Sequence, residues 1–197
     1  MRVRSPRNVY EEVKWIKENQ PQIKDISFDD DTFSADRKHA RAVAELIKPL
    51  GVSWTINARA NCDFETLKVM RDAGLHHVVV GYESGNEQIL KNIKKGVTKE
   101  QAIQFTKDCK KLGITIHGAF IMGLPGETRE TIQETIAYAI MLDLESIQVS
   151  LASPYPGTEF FDQCKREGWI KSDAYIDETG HQMCVINYPH LSNTEIL

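Results

Sequence analysis

The chain is poor in the features that mark whole classes of protein. No apolar stretch among its 197 residues approaches the ~20 needed to span a bilayer. The opening MRVRSPRNVYEE has no apolar core of a secretion signal, and a cytoplasmic location is expected. No Lys/Arg-rich run occurs and the net charge is -4, so a nucleic-acid surface is not expected. The four cysteines, Cys62, Cys109, Cys164 and Cys184, never stand two or three residues apart. That excludes a compact zinc or iron–sulfur motif within this chain, and no metal ligand is assigned. No G-x-G-x-x-G follows any expected strand, so a dinucleotide-binding reading lacks its main support.

What is present is organised around Ile114 to Thr128, ITIHGAFIMGLPGET. An apolar, β-branched run reads as a buried strand. It breaks into Gly123-Leu124-Pro125-Gly126, a tight turn, and Thr128 then caps a helix with Ile132, Ile136 and Ile140 at every fourth residue. A strand that ends in a glycine turn opening a helix leaves bare backbone at its C-terminal edge, where α/β proteins put ligands.

The rest of the chain repeats this plan. A helix is expected at roughly 7–19, then strands at Lys24–Phe28, Val52–Asn57, His76–Tyr82 and Ser146–Leu151 besides the central one. Helices follow each, among them one around 86–93, one opened by Thr98-Lys99-Glu100-Gln101, and a last one at roughly 158–167. Beyond Gly168 periodicity fades into what reads as an extended tail. The expected organisation is a core over 1–170 and an extension over 171–197. Strands alternating with helices predict parallel α/β, and without the dinucleotide fingerprint a barrel or part of one fits best.

Each strand hands over to polar or glycine residues: Asp29-Asp30-Asp31-Thr32, Asn57-Ala58-Arg59, Glu83-Ser84, Gly118 to Gly126, and Ser153 to Thr158. In a barrel these ends face one mouth. Carboxylates there accept bonds from an ammonium or hydroxyls, arginine takes a carboxylate, and glycine backbone admits a flat base.

GYES after one strand, IMGLPGET after the next, and SPYPGT after the last resemble the core of a radical S-adenosylmethionine (SAM) enzyme. RVRSPRNVYEEV, FDDDTF and YPHLSNTEI resemble the hopanoid-biosynthesis-associated branch, whose members often carry a cobalamin-binding domain upstream. The resemblance implies a partial (β/α)6 TIM-like barrel whose first strand and cluster loop are missing here. It implies SAM and a [4Fe-4S] cluster as cofactors, the cluster's ligands lying outside this chain because the C-x-x-x-C-x-x-C loop is absent. The chain is accordingly expected to be a fragment, inactive by itself. Intact, it would cleave SAM reductively to a 5′-deoxyadenosyl radical acting on an organic substrate, a hopanoid side chain by branch. A small molecule or lipid and an electron donor such as flavodoxin or ferredoxin would be its partners.

By motif, Asp29, Asp30 and Asp31 stand where the family's glycine-rich segment meets the SAM amino group, an acidic departure. Asn57 or Arg59 matches a SAM contact, as does Glu83. Ile121 and Gly123 match the adenine strand, and Tyr155 lies near further adenine contacts. No catalytic residue is assigned. Two other readings stay open. Asp29-Asp30-Asp31-Thr32 nearly gives the D-x-D-x-T of a magnesium-dependent haloacid dehalogenase-type phosphatase, with Phe33 breaking the spacing. A non-catalytic α/β scaffold is the other. Among bystanders, His76-His77 reads as a strand entrance and His117 as a hydrogen-bonded strand residue. Of the cysteines, only Cys62 is expected near the mouth.

Overall fold

A computed structural model describes residues 3–172 and 174–197, with eight α-helices and five strands among them. The strands β1 (Asp25–Phe28), β2 (Ser53–Ala58), β3 (Leu75–Glu83), β4 (Thr115–Met122) and β5 (Ser146–Leu151) form one sheet in chain order. β1/β2 and β2/β3 pair in parallel, Phe28 opposite Ile56 and Asn57 opposite Val79. Helices cross over between strands: α1 (Pro6–Asn19), α2 (Arg37–Ile47), α3 (Phe64–Asp72), α4 (Glu87–Asn92), α5 (Lys99–Leu112), α6 (Arg129–Leu142) and α7 (Glu159–Arg166). A short α8 (Asn193–Ile196) closes the chain. Sequential order with helical crossovers is the barrel-type arrangement rather than the doubly wound one. By contacts the chain divides into two compact units: 1–81 with 100–118 and 144–146, and 82–99 with 119–143 and 147–197. The second includes residues 171–197, set apart in the sequence reading.

The first unit packs α2 and α3 on the sheet. α2 buries Ala40, Val43, Ala44 and Ile47, the i, i+3, i+4, i+7 stripe of an amphipathic helix. Asp63 caps α3, its carboxylate accepting from Thr66 N–H at 3.0 Å and pairing with Arg41 at 2.8 Å. Trp54 is fully buried, donates its indole N–H to Ala73 O at 2.9 Å, and meets Phe28 edge-on.

β2, β3 and β4 are buried on one face only, while β1 and β5 bury no residue on either. Trp54, Ile56 and Ala58, then Val78, Val80 and Tyr82, then Ile116, Gly118, Phe120 and Met122 are buried; the residues alternating with them are half-exposed or exposed. The central strand is thus not buried throughout, as its apolar run suggests. Its other face carries Thr115, His117, Ala119 and Ile121.

α6 departs from expectation. Its buried residues are Ile132, Thr135, Tyr138 and Leu142, while Ile136 and Ile140 are 40% and 74% exposed. Four residues advance a helix by about 400°, so a strict fourth-residue repeat slides off the packed face by about 40° a step. The inward position after Ile132 goes to Thr135, whose hydroxyl accepts from Gly85 N–H at 3.0 Å and bonds Ser84 Oγ at 3.1 Å.

The expected extended tail is instead core. Cys184, Val185, Ile186, Tyr188, Leu191 and Ile196 are buried with Met122, Leu124, Ala152 and Cys164 in the second unit. Antiparallel bonds hold it: Lys171 N–H to Val185 O and Asn187 N–H to Trp169 O, each 2.9 Å. Bridges of one or two residues leave no period in the sequence, so packing without regular elements escapes a pattern search.

Candidate functional site

In the first unit, Asp29, Asp30 and Asp31 occupy an exposed turn after β1. Asn57 Nδ2 donates to Asp30 O at 3.0 Å, so the structure joins these two candidates through backbone rather than carboxylate. Asp29 and Asp30 line a cavity of about 410 Å³ between α1 and β1, with Val13, Ile26, Phe28 and His39 among its other walls. Arg59 is half-buried at the β2 end, and its N–H donates to Ser34 Oγ at 3.4 Å.

Cys62 is packed away from solvent. It is buried, and burial, aided by Asp63, pushes its thiol up to about 12. Burial likewise raises Cys109, Cys164 (to about 11) and Cys184. A thiolate is the metal ligand, so protonated, packed thiols are poor ones. Among the described residues no group of three His, Cys, Asp or Glu stands ready for a metal. Anaerobic reconstitution of this chain with iron and sulfide is therefore expected to yield no stoichiometric cluster by electron paramagnetic resonance. His76 pairs with Asp25 at 3.0 Å, while His77 and His117 bond the hydroxyls of Thr115 and Ser146, each at 2.8 Å.

In the second unit, Glu83 ends β3 with φ +66°. A left-handed conformation is uncommon outside glycine and stores strain that surrounding structure must hold. Its side chain is paired with Lys95, Nζ 2.6 Å from Glu83 Oε1, the lysine and glutamate side chains only 21% and 16% exposed. Tyr82 beside it turns to the buried face and stacks on Phe120 at 5.6 Å. Glu83 and Ile121 both lie on the half-exposed face of the sheet, since Tyr82 and Met122 take the buried one.

The turn after β4 has Gly123 and Gly126 at φ +84° and +85°. Glu127 folds back beneath it. Its Oε2 accepts from Gly123 N–H at 2.5 Å and Leu124 N–H at 3.0 Å, while Oε1 is buried without a partner. Burial raises this carboxyl to about 7 against the two amide bonds, which lower it. A β-carbon on Gly126 would sit 2.7 Å from Asn92 Nδ2, which donates to Pro125 O. Tyr155 is exposed and stacks on Tyr175 at 5.4 Å.

Lys95 and Glu127 escape sequence reasoning. Lys94-Lys95-Gly96 after α4 reads as an ordinary helix end, where lysines complement the dipole. Glu127 belongs to the quoted GLPGET, but nothing in one sequence shows that its side chain turns inward.

The second unit thus carries a strand-end carboxylate paired with an ammonium, and a glycine turn after the next strand. The Radical SAM superfamily profile matches residues 1–139, and the chain belongs to that superfamily, whose members use SAM and a [4Fe-4S] cluster. Over 143 residues it is 42% identical to an uncharacterized methyltransferase of Pyrococcus horikoshii, covering 71% of this chain and 31% of that one. Over 205 residues it is 30% identical to cytidylyl-2-hydroxyethylphosphonate methyltransferase of Streptomyces wedmorensis, covering 99% and 38%. The fold matches the radical SAM methyltransferase TsrM of Kitasatospora setae, solved with cobalamin and a [4Fe-4S] cluster. There the TM-score is 0.75 at 20% identity, covering 98% of this chain and 38% of that one. The chain thus spans about a third of the length of these relatives. The superfamily assignment displaces the phosphatase reading of Asp29–Thr32 and the non-catalytic scaffold. No helix among the described residues is long and apolar enough to cross a membrane.

Proposed function

We propose that the intact protein is a SAM-dependent radical methyltransferase acting on an organic small molecule, and that its second unit holds the amino-acid end of SAM. The Glu83–Lys95 pair carries this reading. Opposite charges 2.6 Å apart, largely withdrawn from water at a strained strand end, match an ammonium and a carboxylate on one carbon. Glu83 takes the ammonium and Lys95 the carboxylate, each exchanging a partner of like chemistry. By the family pattern the turn at Gly123 and the side chain of Ile121 take the adenine end, with exposed Tyr155 as a further stacking surface. The roles of Asn57, Arg59 and the Asp29–Asp31 turn are carried by the family pattern alone. Bound SAM supplies the reactive group, and the chain's residues bind and orient it.

Relatives named as methyltransferases support methyl transfer. Their named substrates, a phosphonate and bacteriochlorophyllide, give no support to a hopanoid. Cobalamin as a second cofactor, flavodoxin or ferredoxin as electron donor, and a cytoplasmic location belong to the same proposal. Glu83→Ala in the intact protein is expected to weaken SAM binding by about 1–3 kcal/mol, the worth of a charge-assisted hydrogen bond. Lys95→Ala should do the same. Unchanged affinity in both by calorimetry would remove the pair from the site.

A further inference from the structure

The C-terminal segment does more than fill the core of the second unit, because two of its polar atoms end on the turn after β4. Tyr188 Oη donates to Gly123 O at 2.8 Å, and His190 Nε2 bonds Glu127 O at 2.9 Å. A carbonyl only accepts, so His190 carries its proton on Nε2. These two carbonyls are the first and last of the five-residue turn Gly123–Glu127. The amide groups at the start of the turn are held by Glu127 Oε2. The first amides of the turn are thus fixed from within it, and its first and last carbonyls from the tail.

The tail is itself stiff. Tyr188 is buried, meets Trp169 edge-on at 4.9 Å and stacks on His190 at 5.6 Å, and its N–H bonds Leu191 O at 3.0 Å. Farther on, Glu195 bonds the Ser192 hydroxyl and N–H and pairs with Arg129 at the start of α6. Ile196 lies 3.4 Å from where a β-carbon of Gly123 would stand. Packing alone explains the Tyr188 ring. It does not explain a buried hydroxyl spent on the carbonyl of Gly123, the first left-handed residue of the turn.

We propose that Tyr188 and His190 are positioning residues that clamp the Gly123–Glu127 backbone in its ligand-ready shape. The consequence for SAM rests on the reading given above; the clamp itself does not. Tyr188→Phe keeps the ring and deletes the bond. His190→Leu deletes the second, whereas His190→Gln keeps a donor near the Nε2 position.

The test is amide hydrogen exchange of the 197-residue chain with SAM titration by calorimetry, in the chain and in the intact protein. In Tyr188→Phe and His190→Leu, exchange at Gly126–Thr128 is expected to quicken about tenfold while α2 stays protected. SAM affinity should fall about three- to tenfold, the worth of one neutral hydrogen bond. His190→Gln should restore both readouts, which general loosening of the core would not allow. Unchanged turn exchange in both deletion variants overturns the clamp. Faster exchange with unchanged SAM affinity overturns its role toward the cofactor. Faster exchange in a protein that binds no SAM even as wild type upholds the clamp and overturns the SAM reading.

Discussion

Cut after Gly168, the chain is expected to lose the cooperative fold of its second unit. The cut falls at a natural joint, the left-handed glycine (φ +67°) that ends α7. What it removes is not an appendage. Val185 and Ile186 are fully buried, and Tyr188, Leu191 and Ile196 nearly so. Burying one such side chain is worth about 1.5–3 kcal/mol, so five together approach the ~5–15 kcal/mol net stability of a whole domain. Their loss also uncovers Met122, Leu124, Ala152 and Cys164. The truncated chain should melt over a broadened or earlier transition, bind a hydrophobic dye, and be cut by protease within 82–168 while α2 and α3 persist. A sharp melt at the full-length temperature would show that the tail is dispensable and that its burial does not stabilise the unit.

This result bears on what a single sequence discloses. Helix and strand order was legible because each element has a period and a stop. Asp63 and Thr128 announce helix starts, and both side chains do cap, accepting from Thr66 N–H and Thr131 N–H. The glycine-broken strand ends were legible for the same reason, and they led to Glu83 and Gly123. Three features were not. The α6 face is hidden from an apolar pattern because geometry favours Thr135, a polar residue that satisfies Ser84 and Gly85. The tail was missed because its burial rests on isolated bridges and aromatic contacts. Lys95 was missed because it lies twelve residues beyond its partner Glu83, and only the fold brings the charges to 2.6 Å.

Glu127 shows no role in the sequence alone, and it should respond strongly to substitution. Glu127→Ala is expected to destabilise the chain by about 2–4 kcal/mol, since it strips the buried amides of Gly123 and Leu124 of their acceptor at once. Charge matters separately from shape. Burial raises the carboxyl from 4.5 to about 7, so between those values the folded chain keeps a proton that the unfolded chain has released. The stability linked to this group is therefore fully present below about pH 4.5 and is lost as pH rises through about 7. At about 1.4 kcal/mol per pH unit, and with partial relaxation around the carboxylate, the loss should reach about 1–3 kcal/mol. Glu127→Gln keeps an oxygen for the two amides but cannot ionise. Urea unfolding of both proteins at pH 5 and pH 8 isolates the effect, because every other titrating group is shared. The glutamine variant should gain about 1–3 kcal/mol relative to wild type on going from pH 5 to pH 8. A difference that does not move with pH would mean that Glu127 is already ionised at pH 5. The turn after β4 would then be built on a buried carboxylate whose two amide bonds outweigh its desolvation.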